Sequence, residues 1–218
     1  MLIIPGSGYC MGLSGAGEGP DFIPESAVFL KQIHSNRIVV NPLGGERADG
    51  MVVEKHSRVP ALKVADCLPV FALWDDFAGA AHAGWRGLAG GIVENLLQAV
   101  NQPLRWFITG PCICGDCYTV GEEVREAVFR DDPTVGEDHP QGRVDLRGSA
   151  IRRARKLCGD QFRVVTAGEC TLESVNLYSY RSNGTAGRNI VWLAEIEQGE
   201  HIRQLNGRNS GYTERRKN

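Results

Sequence analysis

Three side chains able to bind a transition metal stand beside short apolar runs. His34 lies in Gln32-Ile33-His34-Ser35, Cys67 in Ala65-Asp66-Cys67, and His82 heads His82-Ala83-Gly84-Trp85-Arg86-Gly87. Two imidazoles and one thiolate suit a zinc ion that keeps its fourth position open for water or substrate. The separations are 33 residues from His34 to Cys67 and 15 from Cys67 to His82, which is no compact metal motif. Taken singly, each histidine reads as an ordinary core or surface residue and the cysteine as a small buried hydrophobe. The same residue types would also serve a metal-free cysteine hydrolase, with Cys67 as nucleophile and His34 or His82 as its base.

Other segments carry weaker chemical signals. Cys112-Ile113-Cys114-Gly115-Asp116-Cys117 is thiol-rich. A structural zinc site there needs a second pair of ligands, which the local sequence lacks unless Cys158, Cys170 or His139 folds back. Otherwise it is a tight loop with partly buried thiols. Gly84-Trp85-Arg86-Gly87 leads into a helical pattern, and Arg86 can grip an anion in a bidentate fork or simply face water. Arg181 and Arg188 flank a polar, glycine-rich loop that either lines a pocket for anionic or hydroxylated ligands or is solvated. Asp66, beside Cys67, is a candidate proton carrier.

These residues need elements to position them. Residues 1–20 are glycine-rich and read as a loop or frayed arm. Ala27–Leu30, Ile38–Val40, Met51–Val53, Ala61–Ala65, Pro69–Trp74 and Ala78–His82 read as strands. Asp75-Asp76 is a turn signal, so the last two form a hairpin that brings Cys67 and His82 to one end. Leu88, Ile92, Leu96 and Val100 fall at intervals of four and predict a helix over 88–100, stopped by Pro103. Leu104–Thr109 is a further strand. Gly121–Arg130 and Leu146–Cys158 are helix candidates, the second capped by Asp145 and Gly159. Phe162–Ala167 and Ile190–Ala194 complete the strands. The mixture predicts a single α+β domain with mixed β-sheets flanked by helices, over residues 21–194. Residues 195–218 are polar and read as a mobile C-terminal tail.

Bulk properties narrow the function classes. With 218 residues, 42% hydrophobic and 23% charged, the chain can bury a sizeable core. A net charge of -2 gives no electrostatic reason to expect nucleic acid or an anionic membrane as partner. No apolar run approaches the roughly 20 residues that span a bilayer, and the start does not read as a secretory signal. Seven cysteines, an odd number, then fit reduced thiols and a cytoplasmic location better than a disulfide framework.

Taken in order, the motifs resemble the laccase-domain family, known both as multicopper polyphenol oxidases and as zinc-dependent purine nucleoside phosphorylases. They include Gln32-Ile33-His34-Ser35, Ala48-Asp49-Gly50, Ala65-Asp66-Cys67-Leu68-Pro69-Val70, His82 through Leu88 and Gly110-Pro111-Cys112-Ile113. Tyr118-Thr119-Val120-Gly121, Val144-Asp145-Leu146, Cys170-Thr171 and Tyr178 through Arg188 follow. The resemblance implies metal ligands at His34, Cys67 and His82, with zinc preferred to copper because one His2Cys centre is poor ground for a multicopper cluster. It also implies phosphorolysis of adenosine, inosine, guanosine and methylthioadenosine, and deamination of adenosine. The expected partners are a purine nucleoside and phosphate, with Arg86, and secondarily Arg181 and Arg188, holding the phosphate. Oligomeric state is not readable. In one departure, Thr119 stands where the family commonly has a glutamate.

Overall fold

A computed structural model of the chain describes residues 1–17, 23–130 and 142–196. Its centre is a stretch with no polar face. β7 (Leu68–Leu73) is buried at every position, and its side chains alternate between two cores. Leu68, Val70 and Ala72 face the helices, whereas Phe71 and Leu73 face a second sheet. A strand buried on both faces reads as a continuous apolar run, as Leu-Pro-Val-Phe-Ala-Leu does.

β7 belongs to a six-stranded mixed sheet with β4 (Ile38–Val40), β5 (Gly50–Glu54), β8 (Phe77–Ala83), β9 (Trp106–Thr109) and β10 (Arg163–Thr166), in the order β10-β9-β7-β8-β5-β4. Against it packs a five-stranded sheet of β1 (Leu2–Ile4), β2 (Tyr9–Ser14), β3 (Ala27–Val28), β6 (Val59–Val64) and β11 (Asn189–Glu195), ordered β1-β2-β11-β6-β3. Met11, Leu62, Val64, Val191 and Leu193 from this second sheet meet Met51, Val53, Phe71, Ala80 and Ile108 from the first. On the far face of the six-stranded sheet lie α1 (Trp85–Ala89), α2 (Ile92–Gln98), α3 (Glu122–Phe129) and α4 (Leu146–Cys158). A four-residue helix, α5 (Tyr180–Asn183), precedes β11. The architecture is a single α+β domain with two mixed sheets and flanking helices, as the sequence pattern predicts.

Three expectations are corrected. The glycine-rich segment 1–20 is not a frayed arm over its first part. β1 and β2 form an antiparallel hairpin, and β2 pairs with β11 from Ser14↔Ile190 to Tyr9↔Glu195. Gly12 is there for packing, since a Cβ would fall within 1.9 Å of the Trp192 ring. The helix expected over 88–100 starts earlier and is broken in two. Gly91 sits in the left-handed region at φ 82, a conformation cheap only for glycine, and it ends one helix and opens the next. At the C-terminal end, Glu195 still belongs to β11 and accepts a hydrogen bond from the Tyr9 hydroxyl, so it is no part of a tail. The remainder of the expected tail, 197–218, and His139 lie outside the described residues.

Candidate metal centre

The β7–β8 hairpin sets the site. Its register pairs Leu68 with Ala83 and Pro69 with His82, so Cys67, one residue before the strand, ends beside His82. His34 arrives from the loop between β3 and β4. One ligand atom from each of His34, Cys67 and His82 lies within 4.8 Å of the others. The imidazole rings are edge-on, 4.9 Å between centroids at 75°. Tetrahedral zinc with bonds of about 2.0–2.3 Å places its ligands roughly 3.3–3.8 Å apart. The three ligand atoms are near enough to share such an ion, and all three residues line one cavity.

Asp49 organises this centre, and sequence reasoning gave it no role beyond its place in Ala48-Asp49-Gly50. It is fully buried. Its Oδ1 accepts hydrogen bonds from the His34 backbone N–H at 2.9 Å and His82 Nδ1 at 2.9 Å. Its Oδ2 accepts from the Ile33 N–H, the Ser35 N–H and the Ser35 hydroxyl at 3.1, 2.6 and 2.8 Å. A carboxylate on Nδ1 fixes the tautomer and leaves His82 Nε2 available as a candidate ligand atom. The same carboxylate holds His34 at φ 60, a left-handed geometry that costs a non-glycine residue on the order of 1–3 kcal/mol. Burial opposes ionisation of Asp49, but the His82 and Ser35 hydrogen bonds win and hold its carboxyl far below the usual range.

The thiol is tuned in the same way. Burial alone would raise Cys67, yet the hydrogen bonds and charge of His34 and His82 bring it down to about 6. Burial would lower His82, but hydrogen bonds with Asp49 and Cys67 raise it to about 9. The centre thus offers a ready thiolate, which is what a transition metal requires. Gly84 completes the packing, because a Cβ there would stand 2.8 Å from the Cys67 sulfur.

The centre opens into a cavity of about 650 Å³, within the range of small-molecule sites. Its lining includes Trp85, Tyr118 and Tyr180, which have flat rings, and five cations: Lys31, Lys63, Arg86, Arg181 and Arg188. Arg86, Arg181 and Arg188 therefore reach one cavity from two distant parts of the chain. Arg86 stacks on Trp85 at 4.3 Å, and Arg181 stacks on Tyr118 at 4.9 Å while donating to the Thr119 carbonyl at 2.7 Å. Lys31 and Lys63 went unnoticed in sequence, since lone lysines carry no motif. The helix that follows Gly84 has only five residues, so in that turn the Arg86 side chain, rather than the helix end, is the candidate anion contact. Asp66, the candidate proton carrier, lines the cavity beside Cys67. Its two carboxylate oxygens accept from the Thr171 hydroxyl and the Arg181 N–H, each at 2.7 Å, and tie the loop before Cys67 to the far wall.

Residues 19–194 match the family described as multi-copper polyphenol oxidoreductase laccase. A protein named purine nucleoside phosphorylase YfiH from Escherichia coli is 33% identical over 187 residues, 78% of this chain and 75% of its own length. Purine nucleoside phosphorylase SCO2081 from Streptomyces coelicolor is 34% identical over 186 residues, 78% of this chain and 76% of its own. The crystal structure of protein NMB0706 from Neisseria meningitidis aligns with a TM-score of 0.68 at 33% identity, covering 78% of this chain and 74% of that one. YlmD from Geobacillus stearothermophilus has the same fold, with a TM-score of 0.70 at 22% identity over 87% of this chain and 92% of its own.

Proposed function

Because this chain belongs to the multi-copper polyphenol oxidoreductase laccase family, and relatives at 33–34% identity are named purine nucleoside phosphorylases, we propose that it is a zinc-dependent purine nucleoside phosphorylase that also deaminates adenosine. One observation carries the reading: His34, Cys67 and His82 converge on a cavity of about 650 Å³ whose lining holds five cationic side chains. The substrates are phosphate and a purine nucleoside, with adenosine, inosine, guanosine and methylthioadenosine as the class.

In phosphorolysis, a phosphate oxygen forms a bond to ribose C1′ while the C1′–N9 bond breaks and its electron pair leaves with the purine. Positive charge builds on the sugar, and the leaving base becomes anionic until protonated. Arg86, Arg181 and Arg188 hold the phosphate dianion and orient it toward C1′. Trp85, Tyr118 and Tyr180 offer flat faces for the purine. Asp49 fixes His82 and His34, and Asp66 keeps the wall carrying Arg181 in place. His34, Cys67 and His82 would hold a divalent cation, which would supply Lewis-acid chemistry at the cavity wall.

Two rivals have observations of their own. A copper-dependent polyphenol oxidase agrees with the family's description, but among the described residues only two histidines converge on any metal-binding group, which is a poor multicopper ligand set. A cysteine hydrolase agrees with a thiol near 6 beside two imidazoles. Incubation of the purified protein with inosine separates them. The proposal expects hypoxanthine release only when phosphate is added, with ribose 1-phosphate as co-product and loss of turnover after chelation. Release independent of phosphate, or unaffected by chelation and by His82→Ala, contradicts it.

A further inference from the structure

A second cluster of metal-ligating side chains lies outside the His34–Cys67–His82 centre. Cys114 and Cys117 stand three residues apart on one turn, and Cys170 and Glu173 stand three apart on another. One ligand atom from each of these four residues lies within 4.8 Å of the others. We propose that Cys114, Cys117, Cys170 and Glu173 form a second, structural site for a thiophilic divalent cation, zinc being the best fit.

The local geometry is that of two facing knuckles. In the first, the N–H groups of Cys117 and Tyr118 both donate to the Cys114 carbonyl, at 3.1 and 2.9 Å, closing the turn that presents two sulfurs to one side. In the second, the Ser174 N–H donates to the Cys170 carbonyl at 3.1 Å and brings Glu173 to the same side as Cys170. The two are joined by a parallel bridge between Cys112 and Cys170, with the Thr171 N–H donating to the Cys112 carbonyl at 3.1 Å. The Cys114 N–H also donates to the Cys170 sulfur, 3.3 Å away, and ties the two knuckles together. Four ligands from two knuckles, three sulfurs and an oxygen, make a closed tetrahedral set, whereas the His2Cys centre keeps an open position. Cys114, Cys117 and Cys170 thus bring three thiols to one point. Binding releases their protons to solvent and exchanges them for one divalent charge.

The place of the cluster gives it a task. The loop it clamps carries Ile113 and Tyr118, both in the cavity wall, and the Ile113 N–H donates to the Asp66 carbonyl next to Cys67. On the other side, Thr171 follows Cys170 and donates to the Asp66 carboxylate. A cation here pins both walls of the cavity without touching the substrate.

Metal analysis of the protein, purified under reducing conditions from zinc-supplemented culture, tests this. Two zinc per chain are expected in the wild type, and one in both Cys114→Ser/Cys117→Ser and His34→Ala/His82→Ala. If the cysteine variant does not fold, cadmium-113 spectra of the wild type still decide. Two resonances are expected, the more deshielded from the three-sulfur site. One zinc per chain with a single cadmium resonance overturns the proposal. So does a disulfide among Cys114, Cys117 and Cys170 in that reduced preparation.

Discussion

Asp49 decides how His82 faces the centre, so it is the residue through which metal affinity can be changed without removing a ligand. An asparagine keeps one acceptor but loses the charge that holds the Nδ1 proton. Asp49→Asn is expected to weaken zinc binding at the His34–Cys67–His82 centre by about 10- to 100-fold, measured by competition with a chromophoric chelator. Unchanged affinity would mean the carboxylate serves only the loop. Cys67 gives a second handle. With the metal removed, the two imidazoles outweigh burial and bring the thiol to about 6. Alkylation at the Cys67 peptide should therefore be slow below pH 6 and rise to a plateau well below pH 9. A midpoint near 9 contradicts the ion-pair geometry. At this scale His34, Cys67 and His82 were legible as residue types, but Asp49 was not, because a buried aspartate looks in sequence like any turn residue. Glu173 escaped notice for a related reason, since carboxylates are common on surfaces and only the fold sets this one opposite Cys114 and Cys117.

The elements deliver these residues through register and turns. The hairpin of β7 and β8 was readable from apolar runs on either side of Asp75-Asp76, and with it the nearness of Cys67 to His82. The break between α1 and α2 was masked by a stripe at four-residue intervals that continues across both, although Gly90-Gly91 marks the interruption. An ion pair between a buried arginine and a partly exposed glutamate helps to hold the helical layer. Arg153 on α4 is 4% exposed, donates to Glu94 on α2 at 2.7 Å, and also donates to the Val128 carbonyl on α3 at 3.0 Å. Arg153→Ala deletes a charge-assisted bond to Glu94 and a donor to the Val128 carbonyl. It is expected to cost about 1.5–3 kcal/mol in denaturant unfolding, with the metal content of the folded protein unchanged. A loss below about 0.5 kcal/mol, the range of surface substitutions, contradicts this account of the layer.

Across the whole molecule, the two ends of the described chain close one sheet, with β11 held between β2 and β6. Composition misled on β1 and β2 because glycine usually signals a loop, whereas Gly12 makes room for the Trp192 ring. Ile4, Tyr9 and Met11 are each at most 5% exposed and contribute on the order of 1.5–3 kcal/mol apiece. That sum is a large part of a domain's typical stability of about 5–15 kcal/mol. Deleting residues 1–14 is therefore expected to give insoluble or unfolded protein. A soluble truncation melting within about 3 °C of the full chain would show that the hairpin is dispensable.

The centre itself is open to direct measurement by anomalous diffraction at the zinc edge, from crystals of protein purified without chelator. The expected result is a peak within about 2.0–2.3 Å of a nitrogen of His34, the Cys67 sulfur and His82 Nε2, with a fourth ligand on the cavity side. Zinc-replete crystals that show no peak among these three side chains would contradict the account.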